Sequence, residues 1–223
     1  MNGWLIAINV VVFVVGASWV VTVRTETGRV IPYQPVYVWG WFSLDTAVFH
    51  GQVWRFLTFQ FLHGGINHIL FNMIGLFFFG RLVEQYLGSM RYLAFYLISG
   101  IGGPIAYVLF FYLGILNYPA HTPLVGASAG LFGVLIGCAV IAPQARVQLL
   151  FPPVEMTMRT MALVYIGIAV AVVFMFGQSG QSNAGGEAAH LGGAAVGYLL
   201  IRNPHWLNFA GAIGQRRPRM RIG

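Results

Sequence analysis

The sequence has few charged residues: they make up 8% of its 223 residues, whereas 58% are hydrophobic. Soluble domains carry about 25% charged residues, so the composition excludes an ordinary water-exposed surface. Lysine is absent, and twelve arginines outnumber five acids to give a net charge of +7. Because these arginines lie between and after the apolar runs, we interpret them as determinants of membrane orientation rather than of nucleic-acid binding.

Cysteine and metal-binding motifs are almost absent as well. Cys138 is the single cysteine, which excludes an internal disulfide and a cysteine metal cluster. Glu187 and His190 have the Glu-x-x-His spacing of di-iron bundles, but that design needs the motif twice and it occurs once. The zinc motif H-E-x-x-H is missing. The sequence therefore predicts neither a metal nor another cofactor.

The sequence is rich in long apolar runs. About 20 apolar residues cross a bilayer, and six stretches approach that length, at roughly 3–23, 65–83, 92–116, 124–142, 160–177 and 185–201. The predicted fold class is therefore an all-α polytopic membrane protein. We expect one domain over 1–223, built as a six-transmembrane-helix bundle, with residues 202–223 as a basic cytoplasmic tail.

The arginines divide unevenly between the two sides of this bundle. With a cytoplasmic N-terminus, nine arginines lie inside and three lie outside, the latter being Arg24, Arg29 and Arg55. The positive-inside rule then favours cytoplasmic positions for both termini. The first run has no basic segment before it and is long enough to span, so we expect a retained first helix. Without a targeting segment, the bacterial inner membrane is the expected location.

This orientation brings Ser128, His190 and Asn72 to a similar depth near the outer side of the membrane. Ionisable residues inside a membrane are costly and usually face the bundle interior. Three structural alternatives remain open for these residues taken singly. His190 fits a histidine bonded between helices, Ser128 fits a hydroxyl bonded to its own helix, and Asn72 fits a packing contact.

Span 4 has two different faces. Ser128 and Phe132 lie on one face, and four glycines lie nearly opposite. A helix with glycines behind its serine packs on both sides, so we expect span 4 at the centre of the bundle. Ser128 falls in the first turn, where backbone N–H groups lack helical partners and the helix dipole favours negative charge. A developing oxyanion finds donors at such a position.

Five short motifs together resemble those of the rhomboid family of intramembrane serine proteases. They are Trp54-Arg55, His68-x-x-x-Asn72, Gly80-x-x-x-Glu84-x-x-x-Gly88, Gly126-Ala127-Ser128 and Ala189-His190-x-x-Gly193-x-x-x-Gly197. Each motif is weak by itself. Their occurrence in the order of the family, over nearly the whole chain, makes the resemblance specific.

The resemblance implies that Ser128 is a nucleophile and His190 its general base, a dyad with no acid. The side chains of Asn72 and His68, with the Ser128 backbone N–H, are implied to form the oxyanion hole. Phe132, one turn from Ser128, offers a surface on which the imidazole can stack. The implied partners are membrane lipid and single-span membrane proteins, cut near the outer interface.

Four further residues are expected to support the site. Gly126 belongs to the serine motif, and Trp54 with Arg55 is interpreted as an anchor at the membrane interface. Glu84 is interpreted as an ordinary charge pair with Arg81 at a helix end.

Two positions depart from the pattern of the family. Ala129 stands where many relatives have glycine, and Phe132 stands where some have tyrosine. The first change adds a methyl that we expect the fold to absorb, and the second removes one hydroxyl. Two other functions stay open, a non-catalytic binder or chaperone of membrane proteins and a transporter. The serine and histidine argue against the first, and the lack of internal repeats argues against the second.

Overall fold

Six long helices occupy the six predicted apolar stretches. The structure, a computed structural model, describes residues 1–25, 28–148, 153–180 and 182–214. The long helices are α1 (Asn2–Ser18), α4 (Ile66–Leu87), α5 (Ser89–Tyr112), α6 (Ser128–Ile141), α7 (Met158–Phe176) and α8 (Ala184–Arg202).

Short elements fill the connections between the long helices. From α1 to α4 they are β1 (Val21–Arg24), β2 (Val30–Tyr33), α2 (Pro35–Gly40), a π-helical turn (Leu44–Phe49), α3 (Arg55–Thr58) and a 3-10 turn (Phe59–Phe61). Later in the chain they are β3 (Arg146–Gln148), β4 (Glu155–Thr157), a second 3-10 turn (Pro204–Leu207) and α9 (Asn208–Gly214). The strands form two antiparallel hairpins, β1 with β2 and β3 with β4.

The six helices differ in length and in hydropathy, and α8, with 19 residues, is long enough to span but is not among those that are also apolar enough. Three of them, α4, α5 and α7, are each long and apolar enough to cross a membrane. Two others, α1 and α6, are apolar but have only 17 and 14 residues. With a rise of 1.5 Å per residue, α6 is about 21 Å long, which is less than the ~30 Å hydrocarbon core. The fold is thus a helical membrane bundle, and the count of six spans stays a prediction.

Three helix ends lie inside the predicted spans, whereas α4 extends to Leu87 instead of 83. The first helix ends at Ser18 instead of 23, and Val21–Arg24 forms a strand. The third ends at Tyr112 instead of 116, and the fourth begins at Ser128 instead of 124. Apolar composition extends past the helix ends in all three places. It does not distinguish a helix from extended chain that is buried or lipid-facing.

The predicted tail is partly folded. Residues 204–214 are helical, and Leu207 and Ala210 are buried. A Cβ on Gly211 would lie 2.9 Å from the Arg91 side chain, so α9 packs closely on α5. Arg216, Arg217, Arg219 and Arg221, which give the tail its charge, lie outside the described residues.

Glycines allow α8 to approach its neighbours at backbone distance. A Cβ on Gly193 would overlap the carbonyl of Ala129 on α6, and one on Gly197 would overlap Gly133. Small residues are the usual device for close helix packing in membranes. The α6 helix itself contacts α4, α5, α7 and α8, which is the central position that its glycine pattern predicts.

We expect Gly193→Ala to destabilise the protein by about 1–3 kcal/mol, because the new methyl overpacks against backbone that cannot rotate away. The matched control is Gly167→Ala on α7, where a Cβ meets nothing within 4 Å. That control should be neutral or stabilising by up to about 1 kcal/mol, because alanine is the better helix former. Equilibrium unfolding in mixed detergent micelles measures both values. Equal stabilities for the two variants contradict the packing described here.

Candidate active site

The centre of the site is a hydrogen bond between Ser128 and His190. Ser128 Oγ lies 2.8 Å from His190 Nε2. Ser128 is the first residue of α6, and His190 lies in the second turn of α8. The bond therefore joins two helices whose residues are 62 positions apart in sequence. Both side chains are half-buried, so the pair is sheltered and still reachable.

The backbone before Ser128 is held by an earlier part of the chain. Leu124 and Phe42 exchange two hydrogen bonds, with N–O distances of 2.7 and 3.1 Å. The N–H of Gly126 donates to the Phe59 carbonyl at 3.0 Å. Non-helical backbone at membrane depth requires such partners. These bonds fix where α6 begins, and they leave the Ser128 N–H in a first turn, where the helix supplies no acceptor.

Phe132 stacks on the His190 ring. The two ring centroids are 4.1 Å apart, and the planes differ by 10°. Phe132 itself is contacted edge-on by Tyr165 of α7, at 6.2 Å between centroids. The imidazole is thereby restricted to one plane.

An acidic side chain accompanies the histidine, contrary to the expectation of a dyad with no acid. Glu187 Oε2 lies 2.8 Å from His190 Nδ1. The two residues are three apart on α8 and so share a face. The Glu-x-x-His spacing is visible in the sequence, but metal sites share the same spacing. Within the described ranges, no three His, Cys, Asp or Glu side chains cluster to hold a metal.

His68 faces the same small space as Ser128. The N–H of Gly64 donates to His68 Nδ1 at 3.3 Å, so a neutral ring carries its hydrogen on Nε2. A Cβ built on Gly126 would lie 2.7 Å from that Nε2 and 3.4 Å from Ser128 Oγ. Gly126 also has a φ of +133°, which disfavours other residues. Glycine at 126 therefore keeps the space between the two side chains open.

Asn72 is buried on α4, with 4% of its surface exposed. Its Nδ2 donates to the His68 carbonyl at 3.0 Å. Among the hydrogen bonds of the described residues, Asn72 makes none to Ser128 or His190. An amide nitrogen carries two hydrogens, and this bond uses one of them.

Arg55 does not serve as the predicted interfacial anchor. The residue is 3% exposed, and its guanidinium donates to the carbonyls of Val38 and Trp41 at 2.9 and 2.6 Å. Buried charges need such hydrogen bonds, so Arg55 organises the segment between α1 and α4 from within. Trp54 is 45% exposed and its Nε1 donates to the Trp39 carbonyl, which agrees with an aromatic ring at an interface.

Glu84 does not pair with Arg81. Its carboxylate accepts hydrogen bonds from the amino group of Met1 at 2.6 Å and from the Asn2 N–H at 2.9 Å. The Arg81 guanidinium instead lies over the Phe77 ring, 4.6 Å from its centroid. Glu84 is about 24 Å along α4 from the level of His68. It therefore joins α1 to α4 and takes no part in the site.

The methyl of Ala129 points away from the site. It lies against α5, where a Cβ on Gly103 would be only 2.7 Å from it. The glycine on the neighbouring helix therefore accommodates this departure from the usual motif.

His63 lies behind His68 and is fully buried, with its ring 5.1 Å from the His68 ring. Burial, and secondarily the charge of His68, lowers the pKa of His63 to about 4. The folded-state pKa is thus below the unfolded value of about 6.5. Between these values the unfolded chain binds more protons, so stability falls as the pH falls.

We expect the free energy of unfolding to fall less steeply between pH 6.5 and 4 in His63→Gln than in the wild type. The reason is that His63 contributes up to about 1.4 kcal/mol per pH unit to this slope. Unfolding free energies measured across this range test the slope, independently of any constant loss from the substitution. His205→Gln, at an exposed site after α8, is the control. A slope unchanged by His63→Gln contradicts the assignment.

Comparison with known proteins identifies the family of this chain. Residues 50–203 match the family model described as the Rhomboid domain, a range that includes all five motifs. RHOMBOID-like protein 4 of Arabidopsis thaliana is 33% identical over 189 residues, covering 82% of this chain and 43% of that protein.

Two bacterial relatives carry protease names. Rhomboid protease GluP of Bacillus subtilis is 32% identical over 173 residues, covering 77% of this chain and 30% of that protein. Rhomboid protease AarA of Providencia stuartii is 31% identical over 173 residues, covering 72% and 60%. The chain spans less than two thirds of the length of each relative. It is an integral membrane protein, and it belongs to the rhomboid family.

Proposed function

We propose that this chain is an intramembrane serine endopeptidase that cleaves single-span membrane proteins near the outer membrane interface. The observation that carries the proposal is the 2.8 Å contact between Ser128 Oγ and His190 Nε2. A serine needs an adjacent base to attack a peptide carbonyl. The relatives named as rhomboid proteases support the same activity.

In the first step, His190 acts as general base and Ser128 as nucleophile. The Ser128 hydroxyl donates to the unprotonated Nε2, which takes its proton as Oγ bonds to the substrate carbonyl carbon. The imidazolium then gives the proton to the leaving amine as the peptide bond breaks. Water completes hydrolysis of the acyl-enzyme through the same base.

The developing oxyanion is stabilised by donors that surround Ser128. Its own backbone N–H lies in the first turn of α6, at the positive end of the helix dipole. His68 offers its Nε2 hydrogen, because Gly64 occupies the other ring nitrogen. Asn72 contributes its second amide hydrogen, since its bond to the His68 carbonyl uses only one of the two. Such preorganised donors are commonly the largest source of rate enhancement.

The proposal includes a substrate class and an orientation. A helical segment hides its carbonyls in hydrogen bonds, so the cut segment must be extended, and small or helix-breaking residues favour that state. The arginine distribution supports cytoplasmic termini in a bacterial inner membrane. The site then faces the outer side, where water is available.

Ser128→Ala and His190→Ala should each lower cleavage of a purified single-span test substrate by at least about 10³-fold, because nucleophile and base act as one unit. A fluorophosphonate probe should label the wild type and leave Ser128→Ala unlabelled. Both variants should unfold at the same detergent concentration as the wild type. Ser179→Ala, at an exposed residue between α7 and α8, serves as the control.

Full cleavage by Ser128→Ala overturns the proposal. Substrate binding without turnover by the folded wild type would instead favour the non-catalytic binder.

Asn72→Ala should lower kcat by about 10²–10³-fold, the usual loss of one oxyanion donor. Asn67→Ala, an exposed asparagine five residues earlier on α4, should leave kcat unchanged. Steady-state kinetics in detergent or liposomes compares the two. Equal rates for the two variants contradict a role of Asn72 in the oxyanion hole.

A further inference from the structure

We infer that Glu187 is a positioning residue that orients His190 and makes the site a Ser–His–Glu triad. The inference rests on the proposed function and deepens it. It assigns a role to a carboxylate that the family resemblance leaves without one.

The geometry of the three side chains carries this inference. The His190 ring has Ser128 Oγ 2.8 Å from Nε2 and Glu187 Oε2 2.8 Å from Nδ1. Each ring nitrogen therefore has one partner. This is the order of groups in soluble serine-protease triads, where the acid holds the ring nitrogen remote from the serine.

Glu187 determines which ring nitrogen carries the hydrogen. A carboxylate accepts hydrogen bonds and has none to give, so Nδ1 must be the protonated nitrogen. Nε2 is then unprotonated and faces the hydroxyl that it has to deprotonate. Phe132 cannot make this choice, because stacking restricts the plane of the ring but does not distinguish its two nitrogens.

The carboxylate also stabilises the charged intermediate. When His190 takes the Ser128 proton, the ring becomes an imidazolium with Glu187 already in contact. The Glu187 and His190 side chains are only 19% and 15% exposed, so water screens their attraction less than at an open surface. Glu187 keeps its charge throughout and accepts no proton in the cycle.

The other described carboxylates have different partners. Glu84 binds the amino group of Met1, Glu155 pairs with exposed Arg146, and Asp45 lies 3.6 Å from His50. The titratable groups around His190 are Glu187 on its own helix, His68 on α4 and, beyond Phe132, Tyr165 on α7. Of these groups, Glu187 is the one whose contact is with Nδ1.

Glu187→Gln tests the inference, because it keeps the shape of the side chain and removes the charge. We expect kcat to fall by about 10- to 10³-fold while KM changes less than twofold, since Glu187 is inferred to act through His190. An amide can donate to Nδ1 and thereby stabilise the wrong tautomer. Glu187→Asp should recover part of the lost kcat, because it restores the carboxylate. Glu155→Gln is the matched control and should behave as the wild type.

The outcomes separate this inference from the proposed function. In one outcome, the wild type cleaves the substrate and is labelled by fluorophosphonate, whereas Ser128→Ala does neither. If Glu187→Gln then keeps full kcat, the inference is overturned and the proposed function stands. If the wild type itself neither cleaves nor labels, the proposed function fails. A third outcome is that kcat falls, Glu187→Asp does not restore it, and the free energy of unfolding falls as well. That outcome indicates a structural role for Glu187 and also overturns the inference.

Discussion

The close approach of α6 and α8 is the constraint on which the site depends. Carbonyl and Cα atoms of one helix occupy the space where side chains of the other would begin, at Gly193 against Ala129 and at Gly197 against Gly133. The side chains of Ser128 and His190 can reach each other only because the axes of α6 and α8 are close together. The glycines therefore take no part in the reaction themselves. They fix the spacing that the hydrogen bond between Ser128 and His190 requires.

Each neighbour of the His190 imidazole restricts a different aspect of the orientation of the ring. Phe132 fixes the plane of the ring, Ser128 occupies one nitrogen and Glu187 occupies the other. The supports come from both helices, so the ring is held by the bundle rather than by a loop. Preorganisation of this kind reduces the cost of reaching the productive geometry. The apolar surroundings that make an ionisable side chain costly also make each of its contacts stronger.

The sequence predicted the long helices, because apolar runs of that length have few other uses. Arginine bias predicted a similar depth for Ser128 and His190, and glycine spacing indicated their helix faces, but their pairing was implied only by the resemblance to rhomboid proteases. The sequence did not predict Arg55 as a buried organiser of the segment between α1 and α4, because burial there depends on carbonyls that a motif does not specify. Glu187 was missed for another reason. Its spacing to His190 was visible, but the same i, i+3 pattern serves a metal site or an oriented imidazole, and only coordinates distinguish them.

The backbone hydrogen bonds before Ser128 also have a consequence for synthesis of the chain. The segment from Leu124 to Gly126 enters the bundle without helical hydrogen bonds and takes its partners from Phe42 and Phe59. Those partners precede it by more than sixty residues, so they have left the ribosome before α6 is made. The segment between α1 and α4 has therefore been synthesised before α6. A circularly permuted chain that placed this segment last would have to insert α6 with its leading amides and carbonyls unpaired in the membrane.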